Sequence, residues 1–228
     1  MAGHKPLNVI FDIDETIISY MDVSDFEDFS EEKQDMYHIV KDTPKMFYLV
    51  RPHVPKIFDF VMDNCATLNL WTKSSKEYAD KLVTGLRKIN PRWKFANVWS
   101  EKDNEKSEEE HGCSKDLNYL WYTLGKFQPC DTVLIDDLKT NVANECNFHN
   151  GIHIPEFDPY KEGTEDTVLL KVIDKLKEVI AKSDFCKSGD LPFPFPNATQ
   201  NSVTRVGFSG GRKTRRHRKL KKTRRRKA

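Results

Sequence analysis

The sequence predicts a doubly wound α/β domain with a mainly parallel sheet, a small flap after the first strand and no large cap domain. Short Val-, Ile- and Leu-rich runs recur between stretches of helical spacing, the alternation that builds a parallel sheet covered on both faces. Two of these runs end directly in acids, at Asp12 and at Asp136-Asp137. Apolar residues make up 38% of the 228, enough for a core over most of the chain.

The first strand is expected at Leu7–Phe11, ending in Asp12. Pro55–Asn64 carries Ile57, Phe58 and Val61 at helical spacing and leads to a second strand at Ala66–Trp71. Ser75 is an N-cap type, and Tyr78, Leu82 and Leu86 form one stripe, so Ser75–Lys88 reads as a helix. Phe95–Trp99 is a weaker strand, Asp116–Leu124 a helix, and Asp131–Ile135 a strand running into Asp136-Asp137. A helix from Leu138, a short strand at Gly151–Ile154 and an amphipathic helix from Glu165 to Lys182 complete a domain over residues 1–182. The acid-rich stretch from Tyr20 to Tyr48 reads as irregular and forms the flap. Neither the gap from Thr16 to Arg51 nor that from Thr72 to Lys115 has room for a large cap domain.

Beyond the domain the composition changes. Residues 183–211 mix Pro, Gly, Ser, Asn and Thr without periodicity and read as a flexible linker. Residues 212–228 hold 12 cations and no acid: Arg212, Lys213, Arg215, Arg216, Arg218, Lys219, Lys221, Lys222, Arg224, Arg225, Arg226 and Lys227. With Leu220 its one large apolar residue, this tail cannot bury a core and is expected to stay disordered. The formal net charge of +2 therefore conceals a division, because residues 1–211 carry 25 basic and 35 acidic residues, a net of −10. Such a tail suits non-specific nucleic acid, a nuclear-import receptor or the chain's own acidic domain. The five cysteines are odd in number and show no C-x-x-C spacing, which predicts neither a zinc site nor a disulfide framework. The N-terminal apolar run is too short for a signal peptide or a membrane span. The protein is expected inside the cell, with the tail pointing to the nucleus.

Sites in open parallel sheets gather at the carboxyl ends of strands. Side chains at i and i+2 of an extended segment point the same way, so Asp12 and Asp14 can face one cavity. Converging carboxylates repel unless a hard divalent cation joins them, and Mg2+ suits carboxylates plus a phosphate oxygen. Taken singly, each signal has a plainer reading: acids cap turns at strand ends, and a lone Lys115 is a surface lysine.

Taken together, the motifs resemble a family. VIFDIDETII (9–18), RPHVPKIFDFV (51–61), LWTKSSKEYADKLV (70–83), SKDLNYLW (114–121) and VLIDDLKTNV (133–142) are similar, in order and spacing, to haloacid dehalogenase-type phosphatases of the RNA polymerase II C-terminal-domain branch. The stretch from Lys115 to Phe157 most resembles the member with a ubiquitin-like domain, although the residues before Leu7 leave no room for that domain. Asp136-Asp137 departs from the Asp-Asn typical of the small C-terminal-domain phosphatases.

The resemblance implies a protein serine/threonine phosphatase forming an aspartyl-phosphate, with a polymerase-like phosphopeptide as substrate. It makes Asp12 the nucleophile and Asp14 the general acid, and has Thr72 and Lys115 bind phosphoryl oxygens. It gives Mg2+ to Asp12, the backbone carbonyl of Asp14, and Asp137, with Thr16 and Asp136 in support. Arg51 either binds substrate phosphate or forms a salt bridge beside the Pro-led helix. Two other readings stay open: a phosphatase of nucleic-acid ends or small phosphate esters, and a non-catalytic interaction subunit of the same fold.

Overall fold

The structure is a computed structural model that describes residues 7–43, 46–142, 147, 150–161 and 165–181. The expected linker at 183–211 and the basic tail at 212–228 lie outside the described residues. In chain order the elements are β1 (Asn8–Phe11), β2 (Ile18–Asp22), α1 (Val23–Glu27), α2 (Glu31–Asp35), β3 (His38–Thr43), β4 (Met46–Val50) and α3 (Val54–Asn64). There follow β5 (Thr67–Trp71), α4 (Lys76–Ile89), β6 (Phe95–Trp99), α5 (Glu101–His111), β7 (Thr132–Asp136), α6 (Lys139–Val142), β8 (Gly151–His153) and α7 (Val168–Ala181).

Five parallel strands pair in the order β6-β5-β1-β7-β8. The chain winds outward from β1 through β5 and β6, then returns to the other side of β1 with β7 and β8. The winding direction therefore reverses beside β1, which is where a crevice opens in such sheets. Phe11 pairs with Ile135, so Asp12 and Asp136 leave adjacent strands at the same level.

Both faces of this sheet are covered. Val9 and Phe11 join a core with Phe58, Leu82, Leu86 and Leu176, contributed by α3, α4 and α7. Ile10, one residue out of phase, faces the opposite core with Trp71, Trp99, Leu117, Leu120, Leu134 and Val142. On that side Gly151 must be a glycine: a Cβ there would lie 2.5 Å from the Val142 carbonyl oxygen and 2.8 Å from its Cα. Backbone cannot step aside as a side chain can. We expect Gly151→Ala to cost about 1–3 kcal/mol, read as a lower denaturant midpoint at unchanged slope.

The flap is more ordered than its composition suggests. It holds a three-stranded antiparallel sheet, β2-β4-β3, with Ile18 opposite Val50 and His38 opposite Val50 on the other side. Its own small core comprises Met21, Phe26, Tyr37, Phe47, Leu49 and Phe157. The strands are formed by pairing across a long connection, which a local reading of period does not reveal.

The helix expected over Asp116–Leu124 is present, and its body is π-helical at Tyr119–Thr123. A helix not expected from the sequence precedes it: α5, whose sequence EKDNEKSEEEH has no apolar stripe and buries only Asn104 and Ser107. It is set by its ends: the Asp103 carboxylate accepts from the Ser100 N–H at 2.9 Å, and Gly112 terminates it at φ 80°. Cys113 and Cys130, expected as thiols, are both disulfide-bonded. Sequence spacing carries no sign of this because the fold, not local sequence, sets which sulfurs meet. Cys65 is a free thiol whose burial pushes its pKa up to about 12.

Candidate active site

β1 delivers Asp12 to the crevice, and the Asp12 N–H donates to the Ile135 carbonyl at 2.8 Å, holding the end of β1 to β7. The following turn is tight: the N–H groups of Ile17 and Ile18 both reach back to the Ile13 carbonyl, at 3.0 and 3.2 Å. Glu15 takes the left-handed conformation in this turn, at φ 59°. Burial, against the pull of a hydrogen bond from Ser19, raises its pKa to about 7. Thr16, fully buried, donates from Oγ1 to Asp137 Oδ1 at 3.0 Å and accepts from the Asp137 N–H at 3.1 Å. The loops after β1 and β7 are thus locked to each other.

Lys115 follows α5 and joins these acids. Its Nζ donates to Asp12 Oδ1 and, at 2.8 Å, to Asp136 Oδ2, with all three residues buried. Its backbone lies in the left-handed region at φ 53°, a conformation that costs a non-glycine residue about 1–3 kcal/mol. Asn147 holds it there, its Nδ2 donating to the Lys115 carbonyl at 2.7 Å and its Oδ1 accepting from the Leu117 N–H at 2.9 Å. Asp136 is itself saturated: beyond Lys115, it accepts from Asn141 Nδ2 at 2.9 and 3.0 Å and from the Leu138 N–H at 2.8 Å.

This arrangement decides the charges. Burial pushes the Asp12 pKa well above the usual carboxylate range; Lys115 pulls against that push, while Asp136 and Asp137 add to it. Burial, with Asp136 beside it, likewise raises Asp137, opposed by the bond from Thr16. Burial works against the Lys115 cation too, but Asp12 and Asp136 outweigh it and raise the lysine's pKa. Lys115 is therefore cationic, a positive centre against three clustered acids.

Asp12, Asp136 and Asp137 each offer an oxygen within 4.8 Å of the others' oxygens. Such a set fits a hard divalent cation, because all donors are carboxylate and Lys115 supplies less charge than the acids carry. Asp136 already accepts from Lys115, Asn141 and Leu138, which leaves Asp12 and Asp137 as the better donors. The Asp14 carboxylate is turned elsewhere. Its Oδ2 accepts from Thr72 Oγ1 at 2.9 Å and Ser74 Oγ at 3.3 Å, and its Oδ1 accepts from Tyr78. Thr72 is fixed at the end of β5: its N–H donates to the Trp99 carbonyl at 3.1 Å, and the Thr72 carbonyl accepts from Asn104 Nδ2 at 2.6 Å.

The structure thus gathers Asp12, Asp136, Asp137, Lys115 and Thr16 at one end of the crevice, with Asp14 and Thr72 paired beside them. Of the two expectations for Arg51, the structure shows the salt bridge. The arginine is buried; Nε meets Asp166 Oδ2 at 2.6 Å, and Nη1 donates to the carbonyls of Thr16 at 3.1 Å and Pro155 at 3.0 Å. Its charge is spent on a buried carboxylate, and its fork braces the motif-one turn from behind. Tyr78, Ser74, Asn141 and Asn147 are site neighbours that the sequence reading did not single out. Tyr78 and Ser74 stood inside a quoted motif, whereas nothing local marks either asparagine. His153, at the end of β8, bonds through Nε2 with the Asp137 carbonyl at 2.8 Å.

Comparison with known proteins finds phosphatase relatives. The CTD phosphatase-like protein 355R of Invertebrate iridescent virus 6 is 26% identical over 178 residues, covering 74% of this chain and 96% of that protein. Among solved structures, a variant of fission yeast RNA polymerase II CTD phosphatase Fcp1 bound to beryllium fluoride is 18% identical at a TM-score of 0.49, covering 80% of this chain and 53% of that one. A second structure of Fcp1 is also 18% identical, with a TM-score of 0.48 and coverage of 85% and 56%. The chain thus spans about half the length of the solved chains it matches. A family model described as NLI interacting factor-like phosphatase matches residues 7–186, which takes in every motif of the crevice. The chain therefore belongs to the NLI interacting factor-like phosphatase family.

Proposed function

We propose that this protein is a magnesium-dependent protein serine/threonine phosphatase working through an aspartyl-phosphate on Asp12. The observation that carries the reading is Lys115 Nζ held between Asp12 and Asp136, beside the Asp12–Asp136–Asp137 cluster. A carboxylate kept in place by a buried cation is oriented without being hydrogen-bonded into inertness. Asp12, Asp137 and the Asp14 carbonyl would hold Mg2+, which neutralises charge on the phosphoryl oxygens when bound.

The chain's own residues then account for the chemistry. An Asp12 oxygen forms a bond to phosphorus as the bond from phosphorus to the seryl oxygen breaks. Asp14 passes a proton to that departing oxygen, which as a bare alkoxide is a very poor leaving group. Lys115 and the Thr72 hydroxyl bind the phosphoryl oxygens. A water next attacks phosphorus while Asp14 takes its proton back, the bond to Asp12 breaks, and inorganic phosphate leaves.

Asp14→Asn tests the scheme. General acid catalysis is worth about 10²–10⁴-fold, so the burst with a phosphoserine peptide should fall by that order, and the burst with nitrophenyl phosphate far less. Equal losses on both substrates would remove Asp14 from the acid role.

The names of the relatives, with the uncapped crevice, support a phosphopeptide like the polymerase C-terminal domain as substrate. The 12 cations of residues 212–228 favour a second engagement, with nucleic acid or an import receptor. Deletion of 212–228 is expected to leave nitrophenyl phosphate turnover unchanged. Polynucleotide binding should be lost with the tail, and the intact chain's affinity should fall steeply with salt. Equal binding by the truncated chain would exclude the tail as the contact.

A further inference from the structure

Tyr78 is engaged with the crevice in a way that the phosphatase scheme leaves unused. It lies in the first turn of α4, which Ser75 caps by accepting from the Tyr78 N–H at 3.3 Å. Side chains in a helix lean back toward its N-terminus, so the ring covers the approach to the end of β5. There it meets Tyr48 of β4 edge to face, with centroids 5.5 Å apart and planes at 82°. Tyr48 is buried and packs in turn on Tyr20, at 5.7 Å. The ring is wedged by the flap, and its hydroxyl donates to Asp14 Oδ1.

The division of donors on Asp14 is the informative part. Oδ1 has Tyr78, whereas Oδ2 has Thr72 and Ser74. Thr72 is also the hydroxyl assigned to substrate phosphate. A phosphoryl group that draws the Thr72 hydroxyl to itself leaves Oδ2 with only the longer 3.3 Å contact from Ser74 Oγ, while Oδ1 remains tied. A carboxyl tied at one oxygen by a rigid ring cannot spin about its terminal torsion, which is otherwise broad and shallow.

We propose that Tyr78 is a positioning residue for Asp14: it pins Oδ1, so that Oδ2 alone faces the leaving oxygen and exchanges the proton with it. In the forward step the Oδ2–H bond breaks as the proton passes to the seryl oxygen, whose bond to phosphorus is breaking. In the second step Oδ2 recovers a proton from the attacking water. Tyr78 keeps its own proton throughout. Through Tyr48, the flap and the acid are mechanically joined, so the acid is in register when the flap is seated. This inference rests on the phosphatase reading of the same crevice.

Tyr78→Phe tests it, since the ring and its contact with Tyr48 remain while the hydroxyl goes. With a phosphoserine peptide, kcat should fall about tenfold or more at unchanged KM, the scale of a lost hydrogen bond to a charged group. The burst with nitrophenyl phosphate, whose leaving group needs little proton help, should change by less than about threefold. In an Asp14→Asn background, Tyr78→Phe should add no more than about twofold, because a residue acting through Asp14 has nothing left to position. Equal losses on the two substrates, or the full tenfold loss again in the Asp14→Asn background, would overturn the assignment. The parent reading fails separately: if Asp14→Asn alone leaves phosphoserine peptide turnover intact, Asp14 is not the acid, and both inferences fall.

Discussion

Asp12→Asn is expected to reduce turnover of any phosphate ester to background, a loss on the order of 10⁴-fold or more, while the protein remains folded. The amide keeps the carboxylate's shape but has neither its charge nor its nucleophilic oxygen. Chelation should give the same loss, restored by added Mg2+. What separates chemistry from damage is stability. Asp12 is buried and repelled by Asp136 and Asp137, and burial pushes its pKa up. Neutralising it relieves that repulsion, and Lys115 keeps Asp136 as a partner. The variant should therefore unfold no more easily than the parent, measured by denaturant midpoint in chelator. Substantial hydrolysis by Asp12→Asn would falsify the covalent route.

Lys115→Met is expected to remove activity to the same level and, unlike Asp12→Asn, to destabilise the fold. Met is similar in length, but it leaves Asp12 and Asp136 buried without their cation. Breaking a buried ion pair by removing one partner costs about 3–5 kcal/mol. The pH dependence has a definite sign. Asp12 and Asp137, whose folded pKa stands above the unfolded value, hold more protons when folded, so stability falls as pH rises between the two. The penalty of Lys115→Met should accordingly be small near pH 4, about the unfolded pKa of an aspartate, and grow toward neutrality. A penalty independent of pH would mean that lost packing, not uncompensated charge, dominates.

How far the sequence exposed this architecture depended on whether the cause was local. β1 and β7 are short apolar runs ending in acids, and a run of that kind announces both a buried strand and the end of it. α4 carries its cap at Ser75 and its stripe of Leu82 and Leu86 in plain view. α5 has caps at Ser100 and Gly112 but no stripe: it is polar all round, and the contacts of Asn104 and Ser107 with distant segments complete its stability. The flap strands were illegible for a related reason, since β2 finds its partner in β4 only after two helical turns and β3 intervene. Arg51 shows the limit most clearly. An arginine beside a proline-led helix reads equally as a phosphate ligand or a salt bridge, and the partner of that bridge, Asp166, lies far along the chain. Of the crevice, the acids and Lys115 were readable because they sit in dense motifs. The asparagines that orient Lys115 and Asp136 were not, because each acts at a distance that only the fold closes.

The left-handed backbone at Lys115, held by Asn147, has a consequence for the order in which the protein assembles. Lys115 is separated from Asp12 by 103 positions and from Asp136 by 21, and Asn147 lies beyond both acids. Contacts of large sequence separation are the slow ones, since loop closure must be met before they repay it. Until the segment after α6 folds back onto 115–117, nothing compensates the strained φ, and the lysine has no reason to enter the crevice. The sheet is therefore expected to condense first, around β1, β5 and β7, with the acids still hydrated. The lysine inserts afterwards, as a late clasp. Asn147→Ala should then speed unfolding while leaving the refolding rate nearly unchanged, the kinetic mark of an interaction made after the transition state.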